Sequence, residues 1–407
     1  MKKILAILLC TVLLTGCSID LETKMDDGMD STKLPEGAYI NIKKDISVFS
    51  SPKLIDVIDT NVEDIDANLE LDTETIGKNT IVVSYSYKNK KYKYGLNYNV
   101  LDNVAPIYLS APSSKYILVN DDTNPCDSIN IADNYTKVPT CEVVGNYDIT
   151  KVGTYNVKFV IKDEADNKNE RKLTINVVNK IPSSPSNPSP STPNPGVKFS
   201  WVYNTFKTDK TEIGLDVSRW QGDIDFEKVK NAGATFVMMR MGVSNKPEEE
   251  LAMDRKYKQN IKNAKAAGLK VGVYIYTTAI NDEMAKTLAD FAINTLDGET
   301  LDFPIVFDWE NWSKFRTYGI SIHDLNKTFL TFANELEKRG YQTMLYGSKH
   351  YLEIMWEDSI KEKYPVWLAH YTNSQTSYEG KYMMWQQCSD GHIDGIDGEV
   401  DIDILYN

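Results

Sequence analysis

Apolar runs of strand length alternate with amphipathic helical stretches through the second half of the chain. Stretches such as 254–267 and 323–339 fit helices that end at Gly268 and Gly340, while no helix fits between the last three runs. The predicted strands are 213–218, 236–242, 270–278, 303–310, 342–348, 365–371, 382–387 and 400–406. This pattern predicts an α/β C-terminal domain over 201–407, a shortened TIM-like barrel of the form (β/α)5β3.

Before this domain, short runs alternate apolar and polar residues one by one, which is typical of antiparallel strands. The stretch 71–102 is similar to 147–179, at an offset of about 76 residues. We therefore predict two tandem all-β domains that look like Ig-like sandwiches, over 35–104 and 105–180. The first is patterned less regularly in its opening half. Neither carries a catalytic group, so a stalk or spacer is favoured over a ligand-binding or adhesive role.

The segment 181–196 alternates prolines with serine, threonine and asparagine. Such a composition favours extended polyproline geometry, which would hold its flanks apart by roughly 40 Å at about 3.1 Å per residue. The sequence thus predicts a Pro/Ser-rich linker over 181–200 that acts as a spacer and a domain boundary.

The first residues have the pattern of an export signal. Lys2 and Lys3 precede an apolar run over 4–15 that is too short to span a bilayer. The run ends in small residues before Cys17, which resembles the lipobox of bacterial lipoproteins. That resemblance implies a signal peptide over 1–16, a lipid on the Cys17 thiol and attachment to the outer face of the cell membrane, with 17–34 as a flexible tether. The alternative is an ordinary signal peptide with an unrelated cysteine.

The overall composition and net charge argue against some classes of binding partner. The chain has 407 residues, 42% of them hydrophobic and 25% charged, with a net charge of −13. This is the composition of a folded protein of more than one domain. The negative balance argues against nucleic acid as a partner and against electrostatic docking on an anionic membrane.

The cysteines indicate a disulfide rather than a metal site. Cys126 and Cys141 lie in one small predicted domain, and in an oxidising compartment they are expected to be bridged, although spacing alone leaves two reduced thiols open. Cys388 is interpreted as a small buried side chain. No metal-binding spacing occurs, and no metal or cofactor is predicted.

The candidate chemistry lies where predicted strands end. Asp308 and Glu310 close the apolar run 303–310, and because a strand repeats every two residues they leave it on one face, with Cα atoms roughly 6.6 Å apart. Asp216 ends the first strand, and Asp401 lies in the eighth, which would neighbour the first in a closed barrel. Four acids would then face one cavity, which is the arrangement that acid-assisted cleavage of a glycosidic bond needs.

The same rim carries amphipathic side chains that suit sugar binding. Aromatic faces stack on sugar rings, and phenol, indole and amide groups bond to hydroxyl and acetamido groups. The candidate substrate-binding residues are Tyr274, Tyr276, Tyr346, Trp367, Tyr371, Trp385 and Gln386. The alternative is that some of these aromatics form one interior layer of the barrel.

Six ordered motifs carry a specific resemblance. They are Gly-Leu-Asp-Val-Ser-Arg-Trp-Gln-Gly-Asp-Ile-Asp-Phe, Ala-Ala-Gly-Leu-Lys-Val-Gly-Val-Tyr, Phe-Pro-Ile-Val-Phe-Asp-Trp-Glu, Val-Trp-Leu-Ala-His-Tyr, Trp-Gln and Gly-Ile-Asp-Gly-Glu-Val-Asp-Ile-Asp. Over about 211–407 the chain resembles the glycoside hydrolase family 25 lysozymes. The resemblance implies an N-acetylmuramidase that cuts the β-1,4 bond between N-acetylmuramic acid and N-acetylglucosamine in peptidoglycan.

Carried over by motif, Glu310 would be the acid/base, Asp308 its partner, and Asp216 and Asp401 further acids of the pocket. We expect Glu310 to be protonated through burial near Trp309 or Trp312 and through the charge of Asp308. The resemblance favours substrate-assisted retention of configuration, while the residues alone leave a direct role of Asp308 open.

Two positions depart from the family pattern. Tyr-Ile-Tyr stands in the third strand where Tyr-His-Phe is common, and Asp403 stands where Asn is common.

The alternative function is a surface-displayed protein that binds wall glycans through a barrel without turnover.

Overall fold

The computed structural model describes residues 33–182 and 196–407 of the chain. It divides into two compact units, one that ends at Leu101 and one that runs from Asp102 to Asn407. The predicted signal peptide, Cys17 and linker residues 183–195 lie outside the described residues. Within the described ranges, no helix combines the length and the apolar character needed to cross a membrane.

The first unit is mostly β-structure and centres on one long antiparallel hairpin. Its elements are β1 (Ile40–Ile42), β2 (Ile46–Ser47), α1 (Leu54–Val57), β3 (Ile58–Thr60), β4 (Gly77–Tyr87) and β5 (Lys90–Leu101). The hairpin β4–β5 gains β2 as a third strand, and β1 pairs with β3. Val83 and Val100 of the hairpin are fully buried, as is Leu54 of α1. Alternate strand residues thus supply the core of this unit.

The second unit begins with a domain of two small sheets. Its strands are β6 (Ile107–Ser110), β7 (Ser114–Leu118), β8 (Asn130–Ala132), β9 (Thr140–Val144), β10 (Gly153–Lys162) and β11 (Lys168–Val178). One sheet has the order β7–β11–β10–β9 and the other pairs β6 with β8. Phe159, Ile161 and Ile175 are fully buried in the core of this domain. The domain is all-β, and its Ig-like character stays a prediction.

Cysteine pairing and the internal repeat follow the sequence pattern. Cys126 and Cys141 form a disulfide, which confirms the predicted bridge. Cys388 is buried and free. The repeat corresponds to the hairpins β4–β5 and β10–β11, which begin at Gly77 and Gly153.

The C-terminal domain is a barrel whose eight strands match the eight predicted runs. The strands of the domain are β12 (Val197–Lys198), β13 (Thr211–Val217), β14 (Phe236–Val243), β15 (Ala252–Met253), β16 (Lys270–Tyr276), β17 (Ile305–Asp308), β18 (Thr343–Ser348), β19 (Val366–Ala369), β20 (Met384–His392) and β21 (Val400–Tyr406). The short strands β12 and β15 pair with β20 and β14 beside the barrel. The fourth barrel strand, β17, ends at Asp308, two residues before the predicted end.

The last strand closes the sheet. Strands β13, β14 and β16 to β20 run parallel to their neighbours, and β21 is antiparallel to both β20 and β13. The interior holds a separate apolar cluster that includes Phe236, Met238, Val306 and Met344. A larger cluster fills the space between the sheet and its helices. The predicted barrel-like sheet is therefore confirmed.

One helix precedes the first barrel strand, and the others cover the outside of the barrel between its first six strands. They are α2 (Phe199–Phe206), α3 (Phe226–Asn231), α4 (Tyr257–Ala266), α5 (Asp282–Leu296), α6 (Phe315–Tyr318), α7 (Ile322–Glu337), α8 (Lys349–Ile354) and α9 (Asp358–Lys363). Gly268 and Gly340 follow α4 and α7 with φ values of +75° and +83°. These left-handed conformations end both helices where the sequence predicted.

The second β domain packs directly on the barrel. The backbone N–H of Ile322, at the start of α7, donates to the Asp133 carbonyl oxygen at 2.7 Å. Lys137 pairs with Asp324 at 3.2 Å, and Leu109 shares the apolar cluster of the barrel. The prediction that 181–200 keeps its two flanking domains apart is wrong for these domains. A proline-rich segment sets how far two domains can separate, and surface complementarity decides whether they pack.

Candidate active site

Asp308 and Glu310 lie together at the carboxyl end of the barrel strands. Asp308 is the last residue of β17 and is 4% exposed, whereas Glu310 follows the strand and is open to solvent. The charge of Glu310 acts on the carboxyl group of Asp308 and raises its pKa. Trp309 points the opposite way and packs on Trp312 and Phe315 at ring distances of 5.1 and 5.3 Å. The two acids therefore share one face of the chain, opposite Trp309.

Two further acids reach the same pocket from the strands that close the barrel. Asp216 of β13 lies opposite Asp401 of β21 in the strand register. Gln386 of β20 donates from Nε2 to Asp216 Oδ2 at 2.7 Å. The charge of Glu310 contributes to the pKa of Asp216 and of Asp401. The four predicted acids are therefore within electrostatic reach of one another.

Burial raises the pKa of the acids on the closing strands to different extents. Desolvation raises the pKa of Asp216 to about 6, and the hydrogen bond from Gln386 opposes the rise. Desolvation, followed by repulsion from Asp216, raises the pKa of Asp401 to about 9. The same two causes hold the pKa of the fully buried Asp403 well above its usual range. At neutral pH, Asp216 thus carries a charge while Asp401 keeps its proton.

The pKa values of Asp308 and Glu310 differ in a way that the sequence did not predict. Desolvation raises the pKa of both carboxyls. For Asp308 the rise is large because Oδ1 is buried without a hydrogen-bond partner and because Glu310 and Asp216 repel its charge. The side chain of Asp308 opposes the rise for Glu310. The pKa of Asp308 is therefore raised further than that of Glu310, because the buried carboxyl loses more hydration than the exposed one, whereas we expected Asp308 to be the more readily ionised acid.

The predicted aromatic residues of the pocket lie at two depths, in the interior of the barrel and at its rim. Tyr274 and Tyr346 pack against Trp367 at ring distances of 5.8 and 5.0 Å, and Trp367 is 1% exposed. Trp367 belongs to the interior cluster of the barrel, as the alternative interpretation anticipated. Tyr276 lies beside Asp308 in the register of β16 and β17, and Tyr371 is 55% exposed at the rim. The rim residues are the ones that a ligand can reach.

Gln386 hydrogen-bonds to tyrosines in the barrel interior and at the rim, whereas the preceding residue, Trp385, lies outside the pocket. The hydroxyls of Tyr346 and Tyr371 both donate to Gln386 Oε1 at 2.9 Å. Trp385 is fully buried on the outer face of β20, against Phe206 of α2 at 5.3 Å. The structure does not bring Trp385 to the pocket, because successive strand residues alternate faces and Gln386 takes the inner one.

A buried ion pair beside the pocket was not predicted. Arg240 of β14 lies in register with Tyr274, and its Nη2 and Nε lie 2.7 and 2.8 Å from Asp254 Oδ2. Its positive charge lowers the pKa of Asp308 against the stronger influences that raise it. The available signal was an arginine within the otherwise apolar strand 236–243, since a buried charge requires a partner.

An exposed tryptophan at the rim was also outside the prediction. Trp220 follows β13 and is 71% exposed, with the Arg219 guanidinium 4.8 Å from its ring centre. Ser218 and Gln221 close a capping box around this short 3₁₀ turn. A tryptophan directly after a barrel strand was the available signal, because such loops build the carboxyl-end face of a barrel.

Among the described residues, one group of three acids has oxygen atoms close enough to hold a metal ion, and it lies in the second β domain rather than in the barrel. The barrel site itself offers proton exchange between paired carboxyls and an ionised acid nearby. That set is suited to general acid/base chemistry.

Asp403→Asn is expected to make the stability of the protein less dependent on pH. The raised pKa of Asp403 means that the native state binds its proton more tightly than the unfolded chain. Its contribution is therefore present at low pH and is lost as the pH rises above about 4. The amide oxygen of the variant can still accept the 2.8 Å hydrogen bond from Trp367 Nε1. Melting temperatures measured from pH 5 to pH 9 should fall less steeply in the variant.

The exposed Asp397 supplies the matched control. Asp397→Asn should follow the wild-type profile. Equal slopes for Asp403→Asn and wild type would show that Asp403 is not held protonated.

The C-terminal barrel contains the segment that is similar to known proteins. Residues 215–396 match the model of glycosyl hydrolases family 25. The chain is 31% identical over 190 residues to the autolytic lysozyme of Clostridium acetobutylicum, which covers 47% of this chain and 54% of the relative. It is 27% identical over 202 residues to lysozyme M1 of Streptomyces globisporus, which covers 46% of this chain and 65% of the relative. The chain thus spans only about half to two thirds of the length of these curated relatives.

Among solved structures, the modular autolysin LytC from Streptococcus pneumoniae matches with 26% identity and a TM-score of 0.42, over 49% of this chain and 48% of that one. The sequence match extends from β13 to the loop before β21 and includes Asp216, Asp308, Glu310 and Gln386. Over residues 215–396 the C-terminal barrel is therefore similar to the glycosyl hydrolases of family 25.

Proposed function

We propose that the chain is a peptidoglycan hydrolase that cleaves the β-1,4 bond between N-acetylmuramic acid and N-acetylglucosamine. The observation that carries this proposal is the pair of acids at the end of β17, where Glu310 is exposed to solvent and Asp308, whose pKa the charge of Glu310 raises, is buried. A proton donor must touch the glycosidic oxygen, and only the open carboxyl can do so. The family match of the surrounding barrel supplies the substrate class.

Glu310 is the acid/base and Asp308 is its proton reservoir and partner. A sugar in the pocket displaces water from Glu310, which raises the cost of its charge and draws the proton of Asp308 towards it. Glu310 then protonates the leaving oxygen. The carboxylate left on Asp308 stabilises the positive charge that develops on the sugar, and it orients the substrate's acetamido group as the nucleophile. Glu310, now ionised, takes a proton from a water molecule that attacks the same sugar carbon and breaks its bond to the acetamido oxygen, so the product retains its configuration.

Asp216 and the rim aromatics hold the substrate around this pair. Asp216 has the lowest pKa among the acids of the closing strands, so it is ionised above about pH 6 and favours the same positive charge. Tyr371 and Trp220 are exposed at the rim and offer flat surfaces for sugar rings. Tyr276 lies next to Asp308, where a phenol can bond to a substrate hydroxyl or acetamido group.

The proposed location follows from the first residues of the chain. The signal-like run before Cys17 supports export and a lipid anchor on the outer face of the cell membrane. A tethered hydrolase would act on wall glycans within reach of that membrane. Metabolic labelling with a radioactive fatty acid tests the anchor, and labelling that persists in Cys17→Ala would contradict it.

A reducing-end assay separates a hydrolase from a glycan-binding protein. Purified peptidoglycan treated with the wild-type chain should release new reducing ends in proportion to time. Binding of the chain to the same peptidoglycan without any release would overturn the proposed function and leave a barrel that only binds.

A further inference from the structure

Three buried aspartates of the second unit converge outside the barrel. Asp102 begins this unit, Asp133 follows β8 and Asp163 follows β10. Their exposed fractions are 8%, 1% and 8%. One carboxylate oxygen from each residue lies within 4.8 Å of those of the other two. Residues far apart in the sequence thus place three carboxyl groups at one buried point.

The hydrogen bonds of this cluster hold each side chain but leave oxygens unused. Asp133 Oδ2 accepts from the backbone N–H groups of Tyr135 and Thr136 at 3.0 and 2.7 Å. Asp163 Oδ1 and Oδ2 accept from Asn167 at 2.8 and 2.7 Å. In contrast, Asp102 Oδ2 and Asp133 Oδ1 are buried, and no group within the described residues donates a hydrogen bond to them. The two unused oxygens belong to side chains that are more than nine-tenths buried.

A neutral oxygen adds to the set. Asn134 donates from Nδ2 to Asp102 Oδ1 at 3.5 Å, so its amide group lies against the cluster. Asn134 Oδ1 is itself buried without a hydrogen-bond partner. A buried amide oxygen that receives no hydrogen bond is able to act as a cation ligand.

Protein charges do not offset the cluster. Within the described ranges no salt bridge to Asp102, Asp133 or Asp163 is formed, although the domain contains several other pairs. Buried like charges without a counterion are costly, and a bound cation removes that cost.

We propose that Asp102, Asp133, Asp163 and the Asn134 side chain bind one calcium ion. Calcium takes oxygen ligands at about 2.3–2.6 Å, so two ligand atoms of one ion can lie up to about 5.2 Å apart. The carboxylate oxygens of the cluster lie within 4.8 Å of one another, which fits that span. Three carboxylates and an amide oxygen suit calcium better than magnesium, which keeps more of its water and uses fewer carboxylates.

The ion would fix the second β domain on the barrel. The Asp133 carbonyl oxygen accepts from the N–H of Ile322 at 2.7 Å, and that of Asn134 accepts from the N–H of His323 at 3.3 Å. Both donors lie in the first turn of α7. Ordering the 133–134 segment therefore orders a contact between the two domains.

Calorimetric titration of the full chain tests the site after removal of metals with EGTA and desalting. CaCl2 should bind with a stoichiometry of one and raise the melting temperature by at least about 3 °C at saturation. MgCl2 should bind at least about tenfold more weakly. Absence of calcium binding would overturn the proposal, and equal affinity for magnesium would overturn the choice of calcium.

Isosteric variants separate a metal ligand from a structural acid. Asp133→Asn and Asp163→Asn should each weaken calcium binding by at least about tenfold, because each removes one charged ligand. In EGTA, Asp133→Asn should melt at or above the wild-type temperature, because it relieves repulsion and keeps an acceptor for Tyr135 and Thr136. The exposed Asp122→Asn is the control and should bind like wild type. Unchanged calcium affinity in both cluster variants would contradict the proposal.

Discussion

Glu310→Gln is expected to lower the turnover of purified peptidoglycan by about 10²–10⁴-fold, the contribution typical of a positioned general acid. The amide has the shape of the carboxyl but no proton of suitable acidity to give to the leaving oxygen. Since Glu310 is open to solvent, the substitution should leave the melting temperature within about 2 °C of wild type. Initial rates of reducing-end release measure the effect.

The control for this prediction is an exposed glutamate on the same barrel. Glu362→Gln in α9 removes one negative charge from an exposed helical side chain and should keep activity within about twofold. Affinity for insoluble peptidoglycan, measured by co-sedimentation, should be retained in both variants. Activity of Glu310→Gln within tenfold of wild type would remove Glu310 from the role of acid.

Asp254→Asn is expected to destabilise the second unit by about 3–5 kcal/mol, because it leaves the Arg240 charge buried without its partner. Arg240 is 9% exposed and Asp254 1% exposed, so water cannot replace the lost interaction. Asp254 Oδ1 also accepts from the N–H of Lys256 at 2.9 Å, a hydrogen bond that the amide oxygen can keep. Urea unfolding followed by tryptophan fluorescence gives the free energy directly.

A surface pair on the same domain isolates the effect of burial. Lys246 and Glu249 lie 3.8 Å apart with side chains 61% and 43% exposed. Glu249→Gln should change the free energy of unfolding by less than about 1 kcal/mol. If Asp254→Asn proved equally mild, the Arg240–Asp254 pair would not be a structural support of the pocket.

The barrel was predictable because its pattern is local. Apolar runs of strand length with helical stretches between them determine the strand order of a parallel barrel, and each of the eight runs became a strand. The convergence of Asp308, Glu310 and Asp216 follows from the same rule, since the parallel strands end on one face. Asp401 joins them because β21 pairs with β13.

Features that depend on three-dimensional burial were not predictable. Sequence spacing put Trp385 at the rim, but the register of β20 turns it outward against Phe206. The difference in pKa between Asp308 and Glu310 results from the difference in hydration between a buried and an exposed carboxyl. Such a difference is invisible in the sequence.

Contacts between segments that are distant in the sequence were equally unpredictable. Arg240 finds Asp254 across a loop, and the packing of the second β domain on α7 depends on shape. The cluster of Asp102, Asp133 and Asp163 brings together three strand ends that no motif spacing connects.

Mass spectrometry of the muropeptides released from defined peptidoglycan tests the central claim most directly. After borohydride reduction, products of the wild-type chain should carry reduced N-acetylmuramic acid at their new ends, and Glu310→Gln should release almost none. Products that end in reduced N-acetylglucosamine, or an equal yield from Glu310→Gln, would contradict the account of this barrel as a muramidase that uses Glu310 as its acid.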